Sequence, residues 1–122
     1  MVTADEVRRF ALSLPEAAER AHWGKPAFNV RNKIFAVIQE DGASLVVKTD
    51  KDDRMMLTAM DPQAFSVPAS FSNLNYMLVN MRHVDFDELR GLLINGWRLV
   101  APKRLIAEYE GREGHGEQHA GF

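Results

Sequence analysis

Binding to a polyanion draws much of its free energy from counterion release, so it needs several cations on one face. Lys25, Arg31, Lys33 and Lys48 fall in one stretch against only Glu40 and Asp41, a local surplus in a chain of formal net charge −2. Arg98, Lys103 and Arg104 form a second small basic cluster. These seven residues are the candidate phosphate-contacting set, with Arg31 placed at a hairpin tip where it would meet the backbone of a nucleic acid. The competing reading is ordinary solvated charge on a sheet rim, since lysines and arginines are mostly surface residues.

Other side chains invite chemistry and have simpler explanations. His22 and Trp23 stand beside a Gly-Lys-Pro break, where a buried tryptophan with its N–H satisfied is the expected arrangement. His115 and His119, with Glu113 and Glu117, have the spacing of one helical face. Gly111, Gly114 and Gly116 weigh against a helix there, and no further ligand is in sight, so no metal site is expected. Asp50, Asp52, Asp53 and Asp61 do not have calcium-loop spacing, and helix capping explains the first three. Met55, Met56, Met60, Met77 and Met81 could line an adaptable apolar groove; core filling is the plainer role. No Ser-His-Asp order, phosphate-cradling glycine loop or HExxH pattern is present. The expectation is a protein without catalytic residues or cofactor, and not an enzyme.

Composition narrows the class. At 122 residues, 46% hydrophobic and 26% charged, the chain is an ordinary single globular domain. With no cysteine it has no disulfide or cysteine nucleophile, which suits a reducing compartment. No signal pattern opens the sequence and no apolar run reaches the roughly 20 residues that span a bilayer, so the expected setting is cytoplasmic, away from membrane. A pI near 6.1 counts against DNA as an obvious partner.

Positioning the first basic group takes a ribbon. Trp23-Gly24-Lys25-Pro26 is a break, Ala27 to Val30 a strand, Arg31-Asn32 a turn and Lys33 to Gln39 a second strand. Glu40-Asp41-Gly42 is another turn, followed by a third strand from Ala43 to Thr49. Runs of β-branched and aromatic residues separated by Asn/Asp/Gly clusters mark antiparallel hairpins. Ile34, Ala36 and Ile38 alternate with Phe35 and Val37, so both faces of the second strand ask for cover.

Helices are predicted around it. Thr3 and Glu6 form a capping box ahead of a stripe of Val7, Phe10, Ala11 and Leu14. Pro15 stops that helix and opens a second short turn. Asp50 caps a helix to about Met60 with Met56, Leu57 and Met60 facing inward. Positions 61–73, with Pro62 and Pro68, form a long connection lying on the sheet through Phe65, Val67 and Phe71. Tyr76 to Met81 is a fourth strand. Asp85 and Glu88 open a helix that buries Phe86, Leu89, Leu92 and Leu93, with Gly96 as its left-handed cap and Trp97 to Val100 as a connection. Pro102 opens a last short helix carrying Leu105, Ile106 and Tyr109. Positions 111–122, rich in glycine and histidine, read as a disordered tail after a single domain over 1–110.

Leu14-Pro15-Glu16, His22-Trp23-Gly24-Lys25-Pro26-Ala27-Phe28, Lys33-Ile34-Phe35-Ala36, Leu45-Val46-Val47-Lys48 and Gly96-Trp97-Arg98-Leu99-Val100 occur in an order and spacing that resembles the MmcQ/YjbR-like family of small bacterial proteins. The similarity spans about residues 1 to 107. The resemblance implies an α+β fold like that of the frataxin-related CyaY proteins, an antiparallel sheet covered on one face by N- and C-terminal helices. It also implies DNA binding through paired β wings.

Two functions therefore stand as expectations. One is non-specific DNA binding, with the ribbon and the Arg98 region against phosphates. The alternative is a protein- or small-ligand-binding module that uses a sheet face or a Met-rich apolar groove. The local basic ribbon and the family resemblance favour the first, and the acidic balance of the whole chain favours the second. Nothing in the residues sets an oligomeric state.

Overall fold

Two-residue turns drive the meander. Trp23 and Gly24 sit at φ 54° and 77°, and Arg31 and Asn32 at 51° and 70°. Positive φ at both central residues is the hairpin geometry whose twist matches that of the flanking strands. The turns join β1 (Ala18–His22) to β2 (Lys25–Val30), and β2 to β3 (Lys33–Ile38). A third turn is held by Asp41, whose carboxylate accepts the amides of Ala43 and Ser44, each at 2.9 Å, and leads into β4 (Ser44–Lys48). With β5 (Phe65–Ser66) and β6 (Tyr76–Asn80), they form one sheet in the order β1-β2-β3-β4-β6-β5. Every neighbouring pair is antiparallel. This computed structural model describes the backbone of residues 1–121 and the side chains of residues 1–112.

The helices are α1 (Ala4–Ser13), α2 (Lys51–Met60), α3 (Phe86–Val100) and α4 (Lys103–Gly121). Their starts follow the local signals. Thr3 and Glu6 close the capping box reciprocally, at 3.2 and 3.0 Å. Asp50 accepts the amide of Asp53, and Asp85 that of Glu88, both at 2.8 Å. α1 and α3 share one face of the sheet: Val7, Ala11, Leu89, Leu93 and Trp97 join Phe28, Phe35, Leu45 and Val47 in one buried cluster. Phe10 meets Phe86 edge to face at 6.0 Å. The expected α+β architecture, an antiparallel sheet with the terminal helices on one side, is what the chain adopts.

Several local expectations give way to tertiary contacts. The turn expected at Pro15 is present but ends at Glu16, the Ala17 amide donating to the Leu14 carbonyl at 3.1 Å, and an unexpected strand follows: β1, paired to β2 from Ala18↔Asn29 to His22↔Lys25. All five of its residues are exposed, so no hydrophobic alternation marks it. In β3, Phe28 faces Ala36 and Asn29 faces Ile34, which leaves Phe35 unopposed in a bulge. The bulge resets the alternation: Phe35, Ala36 and Ile38 all join the helix-side core, and Ile34 and Val37 the other side. α3 does not stop at Gly96 but runs to Val100. Gly96 is the point where α3 crosses the sheet; a Cβ there would sit 3.0 Å from the Lys48 carbonyl oxygen and 3.2 Å from that of Phe35.

Trp97, expected in a connection, is a fully buried side chain whose Nε1–H donates to the Pro15 carbonyl at 3.0 Å. Trp23 is the reverse, 88% exposed. α2 departs in part from its expected face: Leu57 packs against the core, but Met56 and Met60 are exposed, as is Met55, and its buried residue is Arg54. Met77 and Met81 do fill the core. The long connection contains β5 and a 3-10 turn, Ala69–Phe71. Among the described residues no helix is long and apolar enough to cross a membrane. α4, expected to be short, runs on through the glycines at 111, 114 and 116 to Gly121; the side chains of the expected tail, from 113 on, lie outside those described.

Candidate functional site

The sheet face away from α1 and α3 is covered only in part, and its register explains why a cleft forms there. Arg20, Ala27, Val37, Val46, Leu78 and Ser66 line up across the six strands as direct cross-strand partners. The middle of that row, Ala27, Val37 and Val46, is made of small side chains that pack as a floor. Taller residues rise on both sides: His22, Lys25 and Gln39 at one end, Ile34 and Tyr76 at the other. The segment 67–75 crosses above as a strap, bringing Phe71 and Leu74 over the floor. Phe71 leans on Tyr76 with ring centroids 6.0 Å apart. The space enclosed is about 310 Å³ and mostly apolar, at the lower end of the ~300–1,000 Å³ typical of small-molecule sites.

Arg54 fixes the strap. Its buried guanidinium donates from Nη1 to the carbonyl oxygens of Phe71 (3.0 Å), Leu74 (2.6 Å) and Tyr76 (2.9 Å), and from Nη2 to that of Ser72 (3.3 Å). Three of these carbonyls belong to the segment 67–75, which contributes no strand of its own, and the fourth to the first residue of β6.

Trp23 stands at the rim. It occupies the first turn position at φ 54°, a left-handed conformation that bulky residues rarely take and that costs about 1–2 kcal/mol. It presents its ring to solvent 6.1 Å from His22, edge to face. Both rings line the cleft.

The seven basic candidates separate in space. Lys25 lines the cleft, donates to Gln39 Oε1 at 3.1 Å and stands 3.9 Å from a Glu40 carboxylate oxygen. Lys48 holds its ammonium 5.5 Å from the centre of the Tyr76 ring, a cation–π distance. Arg31 and Lys33 lie at the other end of β2 and β3 from Lys25 and are exposed. Arg31 is engaged by Glu16, Nε to Oε1 at 3.0 Å, and Arg104 approaches the same carboxylate at 3.9 Å. Arg31 holds the Glu16 carboxyl below the usual range, with Arg104 adding to the effect. Arg98 pairs with Glu110, and Lys103, exposed, opens α4. The two basic groups thus meet at one point, where Arg31 and Arg104 share Glu16.

Sequence reasoning named Trp23 but expected it buried. It missed Arg54 and the cleft role of Tyr76, whose place follows only from pairing with Lys48. The Trp-Gly pair at the hairpin was the available signal, since glycine after it fits a tight turn and a turn tip keeps its first side chain in solvent. Among the described residues no three His, Asp or Glu side chains gather where a metal ion could sit. His115, His119, Glu113 and Glu117 lie outside the described side chains.

A six-stranded antiparallel sheet with its helices on one face and a strapped cleft on the other is the class this chain represents. The YjbR family model matches residues 12–99, from the end of α1 to the last turn of α3 and so across the whole cleft. The chain belongs to the YjbR family. Its fold is similar to that of the Deinococcus radiodurans protein DR2400, a DUF419-domain protein known from a crystal structure, with a TM-score of 0.73 at 23% identity over 84% of this chain and 81% of that one. No curated protein matches it.

Proposed function

We propose that this protein is a binding module, not an enzyme, and that a small molecule seats in the cleft between the Trp23 hairpin and the 67–75 strap. The observation that carries this reading is Trp23. A large aromatic residue held at φ 54° and 88% exposed works against the stability of its own turn. Asparagine or glycine would suit that position better. Strain kept at the mouth of an apolar cleft is the pattern of a binding residue. The cysteine-free sequence suits a cytoplasmic setting.

The test is Trp23→Asn. We expect its melting temperature to equal or exceed that of the wild type by a few degrees, from about 1 kcal/mol of relieved strain. Fragments that stabilise the wild type should no longer stabilise the variant. If every stabilising fragment acts on the variant as well, the cleft is not the site.

A second reading keeps DNA, because Glu16 draws Arg31 and Arg104 together beside exposed Lys33 and Lys103. Three or four phosphate contacts there imply weak, sequence-independent binding with a log–log salt slope of about −3 to −4. Labelled duplex titrated at low salt against wild type and an Arg31→Glu, Lys33→Glu, Arg104→Glu triple variant decides it. Equal binding by the two, or none at micromolar protein, ends that reading.

A further inference from the structure

Resting on the small-molecule reading of the cleft, we infer the class of its ligand: a planar aromatic molecule of one or two rings that carries an acidic group. The ring follows from what lines the space. Trp23 at the mouth, Phe71 on the strap and Tyr76 on β6 present aromatic surface around a floor of small side chains. A flat ring fills a slot between such walls, gaining offset or edge contacts that a branched aliphatic chain does not.

The acidic group follows from charge. Lys25 lines the cleft at the Trp23 end. Lys48 lies diagonally opposite, on the far side of the floor row, its ammonium over Tyr76. By strand spacing the two residues stand roughly 16 Å apart at their backbones; Lys48 does not line the cleft but holds its charge 5.5 Å from the ring of Tyr76, which does. Among the described residues no carboxylate lines it. Glu40 stands 3.9 Å from the Lys25 ammonium with a side chain 84% exposed, so its screening in water is strong. A cleft of positive bias within a chain of net charge −2 is complementary to an anion. Lys25 is already oriented by Gln39 at 3.1 Å, which leaves its remaining ammonium protons for an acid at the mouth.

The experiment compares 2-naphthoate, its neutral counterpart 2-naphthylmethanol and the non-planar acid cyclohexanecarboxylate by calorimetry and Trp emission. The proteins are wild type, Lys25→Met, Lys48→Met and Trp23→Asn. We expect saturable binding of 2-naphthoate, about tenfold tighter than the neutral alcohol, with cyclohexanecarboxylate weakest. Lys25→Met should erase most of the tenfold preference, so that acid and alcohol bind alike, and Lys48→Met should lower it. Trp23→Asn should lose both naphthyl compounds.

Alcohol and acid binding equally well, with both lost in Trp23→Asn, would overturn the acidic-ligand assignment while the cleft remains the site. Cyclohexanecarboxylate matching 2-naphthoate would overturn the planar ring. If eight-residue oligothymidylate binds in a Trp23-dependent way and 2-naphthoate does not, the cleft serves single strands, and the assignment is likewise wrong. No binding of any probe, together with no Trp23-dependent fragment, removes both the inference and the reading beneath it.

Discussion

The carboxylate of Glu16 shows how a single residue assembles a surface. It sits at φ 56° just after α1, and Arg31 and Arg104 converge on it from a turn and from α4. Arg31 lowers its pKa, so the stabilisation is complete above the ordinary glutamate value of ~4.3 and fades as pH falls through the depressed folded value. Arg31→Ala should therefore be less stable than wild type at pH 7 and indistinguishable from it in acid, by urea midpoints taken across pH 2.5 to 7. Glu88 titrates with the opposite sign. Partial burial raises its pKa, and the carboxylates of Asp85 and Asp61 raise it further. Its contribution is favourable at low pH and lost as pH rises through the raised value. Glu88→Gln should then cost nothing at pH 7. A constant Arg31→Ala deficit down to the lowest pH would mean that packing, not the ion pair, holds the turn.

Elements differ in how far local sequence announces them. Helix starts were legible because a cap is a device four residues long: Thr3 with Glu6, Asp50 with Asp53 and Asp85 with Glu88 all bond as their spacing predicts. The inward stripes of α1 and α3 were legible too, whereas the face of α2 and the end of α3 were not, because distant partners decide them. α2 buries Arg54 for the sake of carbonyls at Phe71, Leu74 and Tyr76, and this turns its methionines outward. Gly96 resembles a cap but serves a crossing. That difference can be measured inside one helix. Gly96→Ala should cost about 1–3 kcal/mol, since the backbone oxygens of Lys48 and Phe35 cannot yield as a flexible side chain would. Gly91→Ala, exposed and with nothing near its Cβ, should instead gain about 0.5–1 kcal/mol. Chemical denaturation of both reads the signs directly, and a stabilising Gly96→Ala would mean that α3 can lift from the sheet at little cost. Within the candidate site, Lys25 was visible as a charge. Trp23 was visible only as an aromatic: which of two indoles is buried depends on a bond between positions 97 and 15.

At the scale of the molecule, the sheet divides two jobs. One face carries the core under α1 and α3; the other carries a small cluster and a strap whose position depends on Arg54. Replacing a buried cation by an apolar side chain is often harmless when its partner leaves too. Here the partners are four backbone carbonyls that cannot leave, so the cost of stranding them should dominate. Arg54→Met should lose about 2–4 kcal/mol, given 1.5–3 kcal/mol for hydrogen bonds to a charged group and relaxation of some carbonyls into water. The loss should be local in its signature. Amide exchange should quicken for Leu74 and its neighbours in the strap while Val7, Leu89 and Leu93 in the shared helix core keep their protection. The cleft should also bind more weakly, although Arg54 does not line it, because Phe71 and Leu74 would no longer be held in place before a ligand arrives. Uniform quickening across the chain would instead make Arg54 a core residue in the global sense. Unchanged cleft affinity would mean that the strap is positioned by its apolar contacts with Tyr76 and the floor rather than from α2.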